Sequence, residues 1–188
     1  MVVIHHFSVF KTGPIAVLAF FVLSGFLMTL LMDTTYKGRI KAFALNRFLR
    51  LYPTYWFTAL LMLLLVSSGL PVSRNDIGIP DLQDVLRELF YIAKWNDYPT
   101  LIITAWAVTN EILFYILIAL GLSKTPIRTV YWLVASLAYT IIVAIKAAPA
   151  SPLHYFSPLA ASLPFALGAL GYHYRHLLCV KYIPYTII

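Results

Sequence analysis

Cysteine is nearly absent from this sequence. Cys179 stands alone among 188 residues, which excludes an internal disulfide and any metal site built from several thiolates. Charge is also scarce. Asp, Glu, Lys and Arg make up 11% of the chain, where soluble domains carry about a quarter. Acids are the rarest class, seven against fourteen Lys and Arg. The opening residues, MVVIHHF, lack the basic start and full apolar run of a secretory leader. The expectation is therefore a chain that begins inside a hydrophobic segment, through a truncated gene, a late start codon or a fragment; the tail 175–188 reads as the start of a further span, so truncation is expected at both ends. No internal repeat and no low-complexity tract is visible.

What fills the chain is apolar: 61% of its residues are hydrophobic. Runs of about 20 such residues are long enough to cross a bilayer as helices. The pattern predicts an all-α integral membrane protein with about five full transmembrane helices plus the end of a first span, forming a single transmembrane domain over 1–188. Residues 1–10 read as that first end. Full spans are expected at 14–32, 51–69, 101–121, 129–147 and 157–174, the last rich in small residues that allow helices to approach closely. Pro53 falls in the first turn of its expected span, where proline is tolerated.

The few charges order the connections. Connection 33–50 holds five basic residues and one acid, and 122–128 holds only Lys124 and Arg128. Connection 70–100 holds three basic residues and five acids, with a helical spacing at 81–93 that suits an interfacial helix. Basic and non-basic connections alternate, so 33–50 and 122–128 are expected in the cytoplasm and 70–100 on the outer face. The basic excess is thereby accounted for by membrane topology; no nucleic-acid partner is expected, and membrane lipid is. Tyr52, Tyr55, Trp56, Tyr131 and Trp132, at span ends, read mostly as interfacial belt residues.

Glu111 departs most sharply from this background. It is the one charge in 101–121, and a carboxylate at that depth costs about 3 kcal/mol on insertion scales. Trp106 precedes it by five residues, and Tyr115, four residues on, shares its helix face. A charge so placed marks a functional site; the alternative is a protonated side chain that ties two helices together. Arg47 and Arg50, three apart, share a face at the expected cytoplasmic mouth of the 51–69 span. Their planar forks suit phosphate, and lipid-headgroup anchoring is the plainer reading. His5 and His6 sit at the end of the first span, where histidine serves as a general base or as a polar cap. His173 and His176 lie three apart without a carboxylate or cysteine cluster, which suits an interfacial role, so no metal is expected. Ser24 lacks the glycine pattern of a nucleophile elbow and reads as a helix-packing residue that also lines a cavity.

Three blocks occur in order: AFFVLSGFL (residues 19–27), RFLRLYPTYW (47–56) and AWAVTNEILFY (105–115). As a set they resemble the membrane-bound acyltransferase 3 family, the O-acetyltransferases of surface carbohydrates. LPFALGALGY (163–172) resembles that family's later glycine-containing span. Family members are about twice this long, with about ten spans, so the resemblance is to the N-terminal half.

The resemblance implies site roles. VVIHHF resembles the end of the family's first span and places its histidine at His6, with His5 second. An arginine that precedes this histidine in the family has no counterpart, and the family's Trp-Ser-Leu reads Trp106-Ala107-Val108 here. His6 and Glu111 are the implied catalytic pair. Arg47 and Arg50 are the implied contacts to the phosphates of the donor, acetyl-CoA or another acyl-CoA, on the cytoplasmic side, and Ser24, Trp106 and Tyr115 are expected to line the substrate cavity. The implied acceptor is a carbohydrate hydroxyl, and the implied location is the bacterial inner membrane. A proton-coupled transporter using Glu111, or an inactive truncated copy, are the alternatives. Nothing in the sequence fixes the oligomeric state.

Overall fold

The computed structural model describes residues 13–68, 105–146 and 158–177, and every regular element among them is helical. Helix α1 is Gly13–Asp33, α2 is Ile40–Ser67, α3 is Ala105–Ala119, α4 is Pro126–Lys146 and α5 is Pro158–His173. Three of them contain stretches long and apolar enough to cross a membrane: Ile15–Asp33, Ile40–Leu65 and Pro126–Lys146; Trp106–Ala119 is a shorter apolar helix. The first-span end at 1–10 with His5 and His6, the expected interfacial helix at 81–93, His154 and Cys179 all lie outside the described residues.

The distribution of polarity is the reverse of a water-soluble fold. Leu23, Phe57 and Ile145 are 56%, 69% and 78% exposed, whereas Ser24, Thr29, Arg47, Asn110, Glu111 and Ser136 are buried. Such a surface belongs in lipid, where polar groups turn inward to find partners.

Helices cannot be driven together in lipid by hiding apolar surface, so close fit and hydrogen bonds hold them. Helix α5 packs on α1 and on α4, while α3 touches α1, α5 and α2. The α1–α5 seam is built on glycine, as the small-residue pattern of 157–174 leads one to expect. A Cβ at Gly25 would lie 2.2 Å from the Phe165 carbonyl oxygen. Helix α4 joins α5 through polar groups: Trp132 Nε1 donates to Ser162 Oγ at 2.8 Å, and the Ser136 and Ser162 hydroxyls meet at 2.7 Å. Four rings, one from each of these helices, run through the middle. Phe21 stacks on Phe165 at 5.1 Å, Phe165 on Phe114 at 4.5 Å, and Phe114 on Trp132 at 5.8 Å. Trp132 is therefore a core residue and not an interfacial one. Tyr131 beside it is 72% exposed, as a belt residue should be.

Helix α2 differs most from expectation. It begins at Ile40, eleven residues before the predicted start at 51, and runs 28 residues, about 42 Å at 1.5 Å per residue. The stretch read as a basic connection is largely its first turns. Pro53 consequently lies in the helix interior, where its ring removes one backbone hydrogen bond from the ladder. Arg47 and Arg50 are not at a mouth preceding the span; they stand within the helix. Nearly all of α2's packing is on α3, where Tyr55 is buried against Val108 and Ile112.

Candidate functional site

The site forms where α1, α2 and α3 converge. Counting 1.5 Å per residue back from Leu120, Glu111 lies about 13 Å into the bundle, and Ser24, counted back from Asp33, lies at the same depth. Arg47 and Arg50 stand about 10 and 15 Å beyond Ile40. The four side chains occupy one layer.

Glu111 is 6% exposed. Its Oε1 accepts a hydrogen bond from the Ser24 hydroxyl of α1 at 3.4 Å and another from the Tyr115 hydroxyl one turn along α3. Ser24 and Gly25 divide the labour of their turn: Gly25 brings α5 against α1, while Ser24 points to Glu111. The fields of Arg50 and Arg47 reach the carboxylate without a direct ion pair, Arg50 more strongly. Glu111 is thus a hydrogen-bonded tie between α1 and α3, but it is more than a tie. It shares the wall of a cavity of about 320 Å³ with Arg50, Thr54, Tyr55 and Phe20. A carboxylate and a guanidinium facing one small cavity can hold and polarise a polar ligand between them.

Arg47 faces the other way along α2. It is 5% exposed and lines an apolar groove of about 620 Å³ between α2 and α3, together with Phe43, Ala44 and Tyr115. Its Nη2 donates to Asn46 Oδ1 at 2.8 Å, and its head lies 5.7 Å from the Phe43 ring centroid. Nε and Nη1 find no hydrogen-bond partner among the described residues. Asn110, next to Glu111, is fully buried with neither side-chain polar atom partnered among them. Buried donors without acceptors are costly; among the described residues they occur on α2 and α3 and not in the α4–α5 seam, where the serines and Trp132 satisfy one another.

The predicted residues therefore converge in part. Ser24, Glu111 and Tyr115 form one hydrogen-bonded unit; Arg50 shares the cavity of Glu111, and Arg47 shares the groove of Tyr115. Trp106 packs edge-on against Phe21 at 6.2 Å, toward the start of α3. Sequence reasoning missed Asn110, although a second polar residue beside the only carboxylate of an apolar span was visible. It also placed Tyr55 in an interfacial belt, whereas Tyr55 is 6% exposed and lines the Glu111 cavity. Among the described residues no three His, Cys, Asp or Glu side chains form a group that could hold a metal.

A family model described as an acyltransferase domain matches residues 1–188, the whole chain. The chain belongs to the acyltransferase 3 family. Among characterised relatives, the acyltransferase MdmB of Streptomyces mycarofaciens is 27% identical over 137 residues, which is 69% of this chain and 34% of that protein. The chain thus spans about a third of the relative that it matches. No solved structure matches it. The acyltransferase 3 membership accounts for the ordered sequence blocks, and those blocks supply Ser24, Arg47, Arg50 and Glu111, all buried in or bordering the site.

Proposed function

We propose that this chain carries the donor-side portion of a membrane acyltransferase that moves an acyl group, acetyl in the first instance, from acyl-CoA to a hydroxyl of a cell-surface carbohydrate. The observation that supports this best is Glu111: buried at mid-helix, fixed by Ser24 and Tyr115, and facing Arg50 across a small cavity. A merely structural carboxylate needs no cavity. MdmB, a relative, is named an acyltransferase.

In this reading the bundle end bearing 33–50 and 122–128 faces the cytoplasm of a bacterium whose inner membrane holds the protein. The donor enters from that end. Its pantetheine arm lies along the apolar α2–α3 groove, where Arg47 offers its two unpartnered nitrogens to the arm's carbonyl oxygens, while Arg50 meets the thioester end. His6 takes the proton of the acceptor hydroxyl as that oxygen attacks the thioester carbonyl. The carbon–sulfur bond breaks, the thiolate of coenzyme A leaves, and the proton on His6 goes to it. Glu111 orients the charged groups around the transfer and balances the imidazolium. Transfer through an acyl-histidine uses the same residues in two steps.

The test is transfer of radiolabelled acetyl from acetyl-CoA to membrane carbohydrate. His6→Ala and Glu111→Gln should each abolish it while the protein stays folded. Full activity in both variants overturns the assignment, and proton-coupled uptake that needs Glu111 but ignores coenzyme A would favour a transporter instead.

A further inference from the structure

A second cavity lies at the end of the bundle where the basic connections gather. It encloses about 250 Å³ between the α1–α2 turn, the α3–α4 turn and the end of α5, with Lys37, Gly38, Ser123, Lys124, His173 and Asp33 in its wall. Hydrogen bonds between helices fix its shape. The Thr29 and Ser123 hydroxyls meet at 3.0 Å, and Tyr172 donates from its hydroxyl to Asp33 Oδ2 at 2.6 Å. His173 Nε2 lies 2.9 Å from the Ser123 carbonyl oxygen; a carbonyl can only accept, so this nitrogen carries a hydrogen. The floor is built, and what it leaves available is positive charge. The ammonium groups of Lys37 and Lys124 have no hydrogen bond or ion pair among the described residues. Ile40, the first residue of α2, also lines the cavity, so the positive end of a 28-residue helix opens on it. The one carboxylate in the wall, Asp33, is turned to Tyr172.

We infer that this cavity binds phosphate esters and, resting on the reading above, that these are the phosphates at the nucleotide end of the acyl donor. Two lysines beside the positive end of α2 suit oxyanions. Depth separates this site from the arginine layer. The cavity opens at the bundle end, whereas Glu111 lies about 13 Å further in along α3, with the apolar groove running beside that path. Phosphates carry too much charge for the groove, and the pantetheine arm fits it. The donor is then held at two places: the nucleotide end by Lys37 and Lys124, and the reacting end by the arginine layer. An anionic lipid headgroup presents the same chemistry, so the experiment must separate the two sources.

The experiment measures coenzyme A binding to the full chain in nanodiscs of neutral phosphatidylcholine, by isothermal titration. Lys37→Gln/Lys124→Gln should raise Kd at least about tenfold, as expected for losing charge-assisted bonds to phosphate. Lys37→Arg/Lys124→Arg should restore it, and circular dichroism should show the helices intact in both. Dephospho-coenzyme A should bind more weakly than coenzyme A to the wild type, and the gap should shrink in the glutamine variant. Coenzyme A binding that survives the double glutamine exchange overturns the site alone. So does a result in which the exchange instead removes thermal stabilisation by added phosphatidylglycerol and leaves coenzyme A untouched, which assigns the cavity to lipid. Failure of the wild type to bind coenzyme A overturns the donor reading and this site together.

Discussion

A methyl group on Gly168 of α5 would sit 1.8 Å from the carbonyl oxygen of Val22 on α1. No carbon atom can approach an oxygen so closely, so the two backbones are in contact and the seam admits nothing larger than hydrogen. Gly168→Ala must push α1 and α5 apart. The expected result is a loss of about 3 kcal/mol or more, at the upper end for overpacking, seen as a lower midpoint in thermal unfolding of the detergent-solubilised protein. Gly171→Ala is the control: its Cβ would meet only Phe26 Cδ2 at 3.9 Å, an ordinary contact, and its midpoint should stay near the wild type.

Glu111→Gln keeps the shape of the side chain and removes its charge. Transfer from acetyl-CoA should fall by about 100-fold or more, the usual effect of losing a group that stabilises charge developing in the transition state. Tyr115→Phe removes one of the two hydrogen bonds that aim the carboxylate and should cost about tenfold. Initial rates in membranes normalised for protein content measure both, and equal rates in Glu111→Gln and wild type would refute the proposed role.

Arg47 makes a sharper case, because stability and activity should move in opposite directions. Its Nε and Nη1 are buried without partners among the described residues, and replacing a poorly compensated buried charge by an apolar side chain of similar size is commonly neutral or stabilising. Arg47→Met should therefore hold or raise the unfolding midpoint while it lowers transfer at least about tenfold. Loss of both together would make Arg47 a structural residue.

Orientation can be read by labelling. Single cysteines at Lys37 and Thr125, placed in a Cys179→Ser background, should react with a membrane-impermeant maleimide only after cells are permeabilised, because both turns line the same end of the bundle. Labelling of either in intact cells would invert the topology.

Much of this arrangement was legible in the sequence. The spacing of Glu111 and Tyr115 on one helix follows from the 3.6-residue repeat, and the structure joins them by a hydrogen bond. Ser24 stood out in the sequence as a small polar residue in an apolar span, but its partner was not visible, because 87 positions separate them and no local rule relates residues on different helices. Trp132 and Tyr55 went astray for the same reason. A span-end aromatic can face lipid or core, and only the neighbouring helix decides, as Ser162 and Phe114 do for Trp132. The start of α2 was misjudged because five basic residues mark a connection by composition. In fact the helix carries Arg47 inward, where the Phe43 face and Asn46 receive it.

The length of α2 has a consequence for the membrane around it. At 28 residues it exceeds the roughly 30 Å hydrocarbon thickness, and a helix too long for its bilayer tilts to fit. Among the described helices α2 leans chiefly on α3, so that single contact holds its tilt, and a change of tilt there would alter the separation of Arg50 from Glu111. Thickness of the surrounding membrane thereby becomes a tuning variable for the site.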